Sequence, residues 1–484
     1  MSASFFFYDL ETSGLDARND RIMQFAGIRT NSDLEVQGEP FNLMIRMSPD
    51  TLPSPDAILV TGITPQSTIA DGVTEAEFLK VFYDEIVTPD TCFLGFNTLR
   101  FDDEFMRFLH YRNFYDPYEW HWSNGCSRWD LLDVVRMTRA LRPDGIEWPF
   151  TEDGKPTNRL ELITKLNGID HYAAHDALSD VYATIAVAKL IRDKQRKLFD
   201  YLMECRGKKK VIEIVSSGQP FIYSSGTFPS EYEKTTVAVQ VADHDGRGAY
   251  VYDLRHDPAQ FAGLGVAELA DRMVYTREPD ALPRLPVKLM QYNHCPAIAP
   301  LGVLDAASQE RIALDVQTVQ KHLAALRGRK DFMENIVKAA AIQEGKRDEA
   351  IAAKATGDVD TQLYDGFVNN DDKIAMRSIR TARPEELSNF TKNFRDDRLK
   401  RMVPRYKARN YPQSLSDEER REWEAFCRQR LFDGGPQSRL AKYFARLQEL
   451  AATASSEQSY LLEELQLYGQ SVMPAYEENE EETQ

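Results

Sequence analysis

The chain has 484 residues, with 42% hydrophobic and 28% charged side chains and a formal net charge of -17. That length exceeds what one hydrophobic core usually serves, so two or three domains are expected, and the composition excludes large-scale disorder. No run of about 18 apolar residues is present, which excludes a membrane-spanning helix.

In chain order, Ser4 to Leu10 reads as a strand, Arg21 to Arg29 as a second and Phe41 to Met47 as a third, with a Gly/Asp/Asn turn linking the first two. Thr74 to Val87 has helical spacing, with Phe78, Val81, Phe82 and Ile86 on one side. Cys92 to Phe96 reads as a short buried strand that runs into Asn97 and then Phe101-Asp102-Asp103. Asp130 to Arg142 and Leu160 to Leu166 read as helices. Asp176 to Lys197 reads as a long one, with Leu178, Val181, Tyr182, Ile185, Val187 and Leu190 apolar. This order fits a mixed sheet with helices on both faces.

After about residue 200 the pattern changes. Val211 to Tyr252 carries the β-like runs VIEIV, PFIYSS, TTVAVQVA and AYVYDL, which suggest a small sheet or barrel. From about Ala306 helices dominate, residues 343–360 read as a linker, and residues 361–475 as a charged helical segment. Tyr476 to Gln484, with five Glu, reads as a solvated acidic tail. The expected boundaries are 1–198, 199–350, 351–475 and 476–484. The five cysteines are scattered and form no CxxC pair, so neither a zinc site nor a disulfide framework is expected. The N-terminus has no basic region leading into a long apolar core, and a cytoplasmic protein is expected.

The first strand ends in Asp9 and Glu11. Residues i and i+2 of a strand share a face, so two like charges stand side by side and raise each other's pKa unless a cation lies between them. Hard oxygen donors suit magnesium or manganese. A D-x-E at a strand end is also compatible with two solvated carboxylates. Further on, Asp180 lies one turn into the long helix, and an acid on an apolar helix face needs a partner. Asp176 is a reasonable N-cap. His175 stands five residues before Asp180, on a different side of a regular helix. It reads as a loop residue, either a base above the carboxylates or an ordinary loop histidine.

Taken together, these residues resemble the DEDDh exonuclease superfamily. Its first motif, D-x-E, is matched by Asp9 and Glu11. Its second, N-x-x-x-F-D, is matched by Asn97 to Asp102, and its third, H-x-A-x-x-D-x-x-A, by His175, Ala177, Asp180 and Ala183. Beyond these, QFAGIRT (24–30), VTGITPQ (60–66), YRNFYDPYEW (111–120), SRWDLLDV (127–134), AHDALSDVYATIA (174–186), QLYDGF (362–367) and YKARNYP (406–412) are similar to the bacterial exonuclease I family. That resemblance covers nearly the whole chain.

The resemblance implies an α/β fold: an RNase H-like DEDD exonuclease domain, an SH3-like β-rich domain and a C-terminal α-helical domain, together C-shaped. It implies processive 3′-to-5′ degradation of single-stranded DNA to 5′-mononucleotides, in DNA repair and recombination. Asp9, Glu11, Asp102 and Asp180 would hold two Mg²⁺ ions, for which Mn²⁺ can substitute, and His175 would be the general base. Asp103 and Asp176 are adjacent carboxylates expected to point elsewhere. Thr12 and Leu15 would hold the 3′ end and wedge at the last base.

A strongly negative chain can still bind a polyanion through a local basic groove. Arg100, Phe101 and Arg128, with Arg112, Tyr111 and Trp129, are candidates for the strand, as are Lys208, Lys209 and Lys210, with Lys407 and Arg409 on the far wall. The resemblance also implies a protein partner, the acidic C-terminal tail of single-stranded-DNA-binding protein. Arg142, Tyr201 and Arg327 would receive it, and Asp305 stands where a further arginine is expected. A chain that closes its own groove is expected to act as a monomer. The rival readings are a short exoribonuclease or oligoribonuclease of the same superfamily, a binding module with an inactive site, and a proofreading subunit.

Overall fold

The structure, a computed structural model, describes residues 4–171, 176–275, 282–353 and 357–473. β1 (Ser4–Thr12), β2 (Ile22–Thr30), β3 (Phe41–Met44), β4 (Thr91–Gly95) and β5 (Ser127–Asp130) form one sheet in the order β3-β2-β1-β4-β5. β1 is antiparallel to β2 and parallel to β4, and β4 is parallel to β5. With a neighbour on each side, β1 is apolar on both faces. Phe7 packs with Ile28, Leu94, Val181 and Ile185, whereas Phe6, Tyr8 and Leu10 pack with Phe25, Phe78 and Phe93. Alternation therefore places Asp9 and Glu11 on the face of Phe7, which the helix Ala177–Lys194 covers. Tyr182 of that helix is exposed, unlike its apolar neighbours.

The helix expected over 74–87 is present as Glu75–Val81 followed by a π-helical turn, Phe82–Ile86. A capping box between Thr74 and Glu77 starts it.

A second, wholly antiparallel sheet has the order β10-β6-β7-β8-β9, from β6 (Phe221–Ser224), β7 (Thr235–His244), β8 (Gly248–Asp253), β9 (Val287–Gln291) and β10 (Ala297–Pro300). The run VIEIV, expected as a strand, is instead the end of a helix, Lys208–Val215. Val211 and Val215, one helical turn apart, are both buried against Phe221 and Tyr223 of this sheet.

The linker expected over 343–360 is also corrected. Residues 343–353 continue the helix Lys330–Ala353, which packs on the helix Val266–Met273. Gln343 Nε2 donates to the Ala270 carbonyl at 2.7 Å, and Tyr250 donates its hydroxyl to Glu344. Past residue 357 the chain is helical, through Asn370–Arg380, Asp397–Asn410, Asp417–Phe432, Arg439–Ala451 and Ser456–Ser471.

This helical segment is joined to the first sheet through buried charge. Arg409 Nη2 lies 2.7 Å from Asp50 Oδ2 and also pairs with Asp360. Arg21 Nη2 lies 3.8 Å from Asp50 and 3.7 Å from Asp360. Arg409 and Lys407, expected on a groove wall, are thus interior: Lys407 is buried and paired with Glu419 at 2.8 Å. Arg112, with its guanidinium on Glu75 at 3.0 Å, is interior too, and so are Tyr111 and Trp129. Among the described residues no helix is long and apolar enough to cross a membrane.

Candidate active site

The end of β1 and the first turn of the helix Ala177–Lys194 bring three acids together. Asp9, Glu11 and Asp180 each offer a carboxylate oxygen within 4.8 Å of the others. The ladder between β1 and β2 slips at Glu11/Thr12, so the bulge falls beside the cluster. Asp176 caps the helix by accepting from the Ser179 amide at 3.0 Å, which fixes the turn that carries Asp180.

Asp102, at the start of the helix Asp102–Arg112, is buried next to this group. Its Oδ1 accepts from the Leu10 amide at 3.1 Å, which holds it beside β1. Asp103 is turned into the protein, where it accepts from Tyr8 Oη at 2.6 Å and pairs with Arg128 and Arg107. The two neighbours thus divide into an acid that forms no side-chain ion pair among the described residues and an acid fully engaged in structure.

The electrostatics follow from this placement. Burial, then the charges of Asp102 and Asp180, push the Asp9 carboxyl well above the usual carboxylate range. Burial, then Asp9 and Asp180, push Glu11 up to about 9. Asp102 is raised as well, first by burial. A set of oxygen donors that cannot all ionise unaided is the environment a hard divalent cation stabilises, so these residues fit one.

His171, which the sequence reading passed over, is a direct partner of the cluster. Its Nε2 lies 2.6 Å from Asp180 Oδ1, and its Nδ1 lies 3.3 Å from Thr164 Oγ1. His175 lies outside the described residues. Thr12 is buried, its Oγ1 donating to the Gly14 carbonyl at 2.7 Å, and Leu15 on the same turn is 86% exposed.

Asp9 and Asp180 open into a cleft of about 640 Å³ that is also lined by Asn97, Arg136, Arg159 and, from the β-rich unit, Lys234. Asn97 has a left-handed backbone, φ +74°. The Asp130 carboxylate holds that turn by accepting the amides of Asn97 at 3.0 Å and Leu99 at 3.2 Å. Arg136 and Lys234 were missed by sequence reading because neither falls in a basic run.

The other expected contacts lie apart from this cluster. Arg100 pairs with Asp133 at 2.8 Å, and Phe101 is half-buried against Phe105. Arg128 is buried on Asp103, with Nη2 donating to the Asn293 carbonyl at 3.0 Å. Lys208 and Lys209 are exposed, whereas Lys210 is half-buried and pairs with Glu213 at 3.4 Å. Arg142 pairs with Asp305 at 3.1 Å, Arg327 donates to the Gly218 carbonyl at 2.6 Å, and Tyr201 is half-buried.

Family models match three consecutive parts of the chain: an exonuclease at residues 6–188, an exonuclease I SH3-like domain at 206–340 and an exonuclease I C-terminal domain at 357–472. The exodeoxyribonuclease I of Haemophilus influenzae is 39% identical, with 96% of this chain and 98% of that protein covered. The zinc-bound crystal structure of an Escherichia coli exonuclease I–single-stranded DNA complex superposes with a TM-score of 0.89 at 36% identity, covering 98% of this chain and 100% of that one. A crystal structure of SSB and exonuclease I with the inhibitor CFAM superposes with a TM-score of 0.87 at 36% identity, again over 98% and 100% of the two chains. The first sheet is therefore that of an RNase H-like exonuclease domain, followed by an SH3-like domain and a helical C-terminal domain. With likeness along its full length and an acidic cluster at the end of its central strand, the chain belongs to the exonuclease I family.

Proposed function

We propose that the chain is a metal-dependent exodeoxyribonuclease that degrades single-stranded DNA processively from the 3′ end, releasing 5′-mononucleotides in DNA repair and recombination. The observation that carries this reading is the convergence of Asp9, Glu11 and Asp180 at the base of a cleft whose rim includes Arg136, Arg159 and Lys234.

The cation is Mg²⁺, two per site, with Mn²⁺ able to substitute, held by Asp9, Glu11, Asp102 and Asp180. When bound, such ions acidify an attacking water and offset charge on the leaving 3′-oxygen. The chain's own residues do the rest. His171 keeps the Asp180 carboxylate turned toward its neighbours. His175 takes the proton of the attacking water, a role that suits a near-neutral imidazole. Thr12 and Leu15 hold and wedge the terminal nucleotide. The cations of the cleft rim, with Arg100, Phe101 and Lys208 to Lys210, follow the strand outward.

The C-terminal tail of single-stranded-DNA-binding protein is the protein partner, received at Arg142, Tyr201 and Arg327. The free state of all five cysteines suits a cytoplasmic enzyme, and the chain acts as a monomer.

The test is digestion of a 5′-labelled single strand, its duplex and its RNA counterpart, in Mg²⁺ and in EDTA, with an unlabelled trap strand added after binding. Loss from the 3′ end of the DNA strand alone, insensitive to the trap, abolished by EDTA and by Asp180→Ala, is the expected result. Equal cleavage of RNA, or activity that survives Asp180→Ala, would overturn it.

A further inference from the structure

Gln24 stands on β2 directly opposite Glu11, and Ala26 opposite Asp9, so all four side chains share the face that the helix Ala177–Lys194 covers. Ala26 also opposes Asn42 on the edge strand β3, which brings Asn42 onto the same face. Gln24 is 3% exposed, an interior place for an amide. Its Nε2 donates to Asn42 Oδ1 at 2.9 Å and to Asp176 Oδ2 at 3.4 Å. A carboxylate only accepts, so Asp176 settles which way the amide turns: its nitrogen faces the start of the helix.

Asp176 divides its two oxygens between the helix and the sheet. Oδ1 accepts the Ser179 amide at 3.0 Å and caps the helix, while Oδ2 meets Gln24. The main chain joins in, with the Asp176 carbonyl accepting the Asp180 amide at 3.0 Å. The turn that presents Asp180 is therefore tied at its start to β2, and β2 pairs with the strand that presents Asp9 and Glu11. Ala26 and Ala177 are fully buried, and without bulk on either the turn can sit close on the strands. After burial and the charges of the other acids, Asp176 is among the groups that raise Asp9 and Glu11, so it lies beside the cluster.

We propose that Gln24 and Asp176 are positioning residues for the metal site: the amide–carboxylate contact between them sets how far Asp180 on the helix stands from Asp9 and Glu11 on β1. The inference rests on the reading of the acidic cluster as the metal site of a nuclease. It gives a part in that site to Asp176, which stands outside the three-acid cluster, and to Gln24, which no motif marks. The division of labour with His171 is clear. His171 fixes which way the Asp180 carboxylate faces, whereas Gln24, through Asp176, fixes where the turn that carries it lies.

The test is calorimetric titration of the full chain with Mn²⁺ in the absence of DNA, for wild type, Gln24→Leu, Asp176→Ser and the double variant. Gln24→Leu keeps the bulk of the side chain and the charge of the site, so a change in affinity cannot come from lost charge. It should weaken Mn²⁺ binding by about 10-fold to 100-fold. In the Asp176→Ser background, where serine still caps the helix but is too short to meet Gln24, the same replacement should weaken binding by less than about 2-fold. A merely structural role for Gln24 would move the denaturation midpoint in EDTA and leave the affinity as it was. Unchanged affinity in Gln24→Leu, or the same loss in both backgrounds, would overturn the clamp while leaving the metal site standing. Wild type that binds no Mn²⁺ would overturn the metal reading itself, and the clamp with it.

Discussion

His171 and Asp180 form a buried contact of 2.6 Å between Nε2 and Oδ1, with the imidazole backed by Thr164 on its other nitrogen. A carboxylate accepts, so Nε2 carries the hydrogen, and the ring fixes which way Asp180 faces. Partners of this kind typically carry about 10-fold to 100-fold in metal affinity or activity. His171→Ala should therefore raise the Mg²⁺ concentration needed for half-maximal activity by about that factor, with His171→Gln recovering part of it. An unchanged Mg²⁺ titration would show that Asp180 is oriented without His171.

The acidic cluster makes the metal-free protein sensitive to alkali. Glu11 titrates at about 9 in the fold against an ordinary value of 4.5, and Asp9 and Asp102 shift in the same direction. Below the lower value both folded and unfolded chains hold the proton. Between the two values the unfolded chain releases it while the folded one keeps it, so stability falls as pH rises through that window. In EDTA the denaturation midpoint should drop steadily from about pH 5 to about pH 9. Mg²⁺ should flatten that decline, and its binding should release protons in a weakly buffered titration. A flat EDTA profile would count against the crowding of these carboxylates.

Arg409 joins the C-terminal domain to the nuclease domain through Asp50 and Asp360. Arg409→Met removes one cation of the cluster and leaves Asp50 and Asp360 to Arg21, Arg405 and Arg430, so the loss should stay below the about 3–5 kcal/mol of a buried pair broken outright. Denaturant unfolding should register that loss. In the trap assay, the variant should release DNA after shorter runs while still cutting a trinucleotide. Full-length runs would show that domain docking does not govern retention of the strand.

Asp305 occupies Arg142, and both side chains are partly solvated. Exposed pairs of this type contribute up to about 1 kcal/mol. Asp305→Asn should free the guanidinium and tighten binding of a peptide copying the acidic tail of single-stranded-DNA-binding protein, by up to about 5-fold in fluorescence anisotropy. Unaltered or weakened binding would place the tail elsewhere on the surface.

Much of the nuclease domain is legible in the sequence because its signals are local. The Phe-rich run before Asp9 can only be a strand buried on both faces, and the i, i+2 spacing of Asp9 and Glu11 already places them together. VIEIV misleads because its β-branched residues also satisfy an i, i+4 helical pair, Val211 and Val215, and packing against β6 decides between the two. Residues 343–353 misleadingly resemble a linker, since a polar, Ala-rich stretch is equally a surface helix once its neighbour Val266–Met273 is in place. Arg409, Lys407 and Arg128 could not be judged from sequence at all. Whether a cation is solvated, reaches a ligand or is buried in a pair depends on acids far along the chain, and Asp50 precedes Arg409 by 359 residues. His171 left no signal because a loop histidine has no periodicity to betray the carboxylate it meets.

The junction of Arg21, Asp50, Asp360 and Arg409 also constrains how this protein can evolve. Each side chain answers charges encoded elsewhere in the gene, with Arg430 on both carboxylates and Arg405 on Asp360 as well, so a single replacement at any of them unbalances the whole interior cluster. Drift at these sites is therefore constrained by the balance of the whole cluster, and a C-terminal domain borrowed from a distant relative would bring the wrong half of the arrangement. The two ends of the chain are thereby inherited as one unit, as is the apolar cluster in which Phe108, Tyr111 and Phe114 pack with Leu399, Met402 and Tyr406.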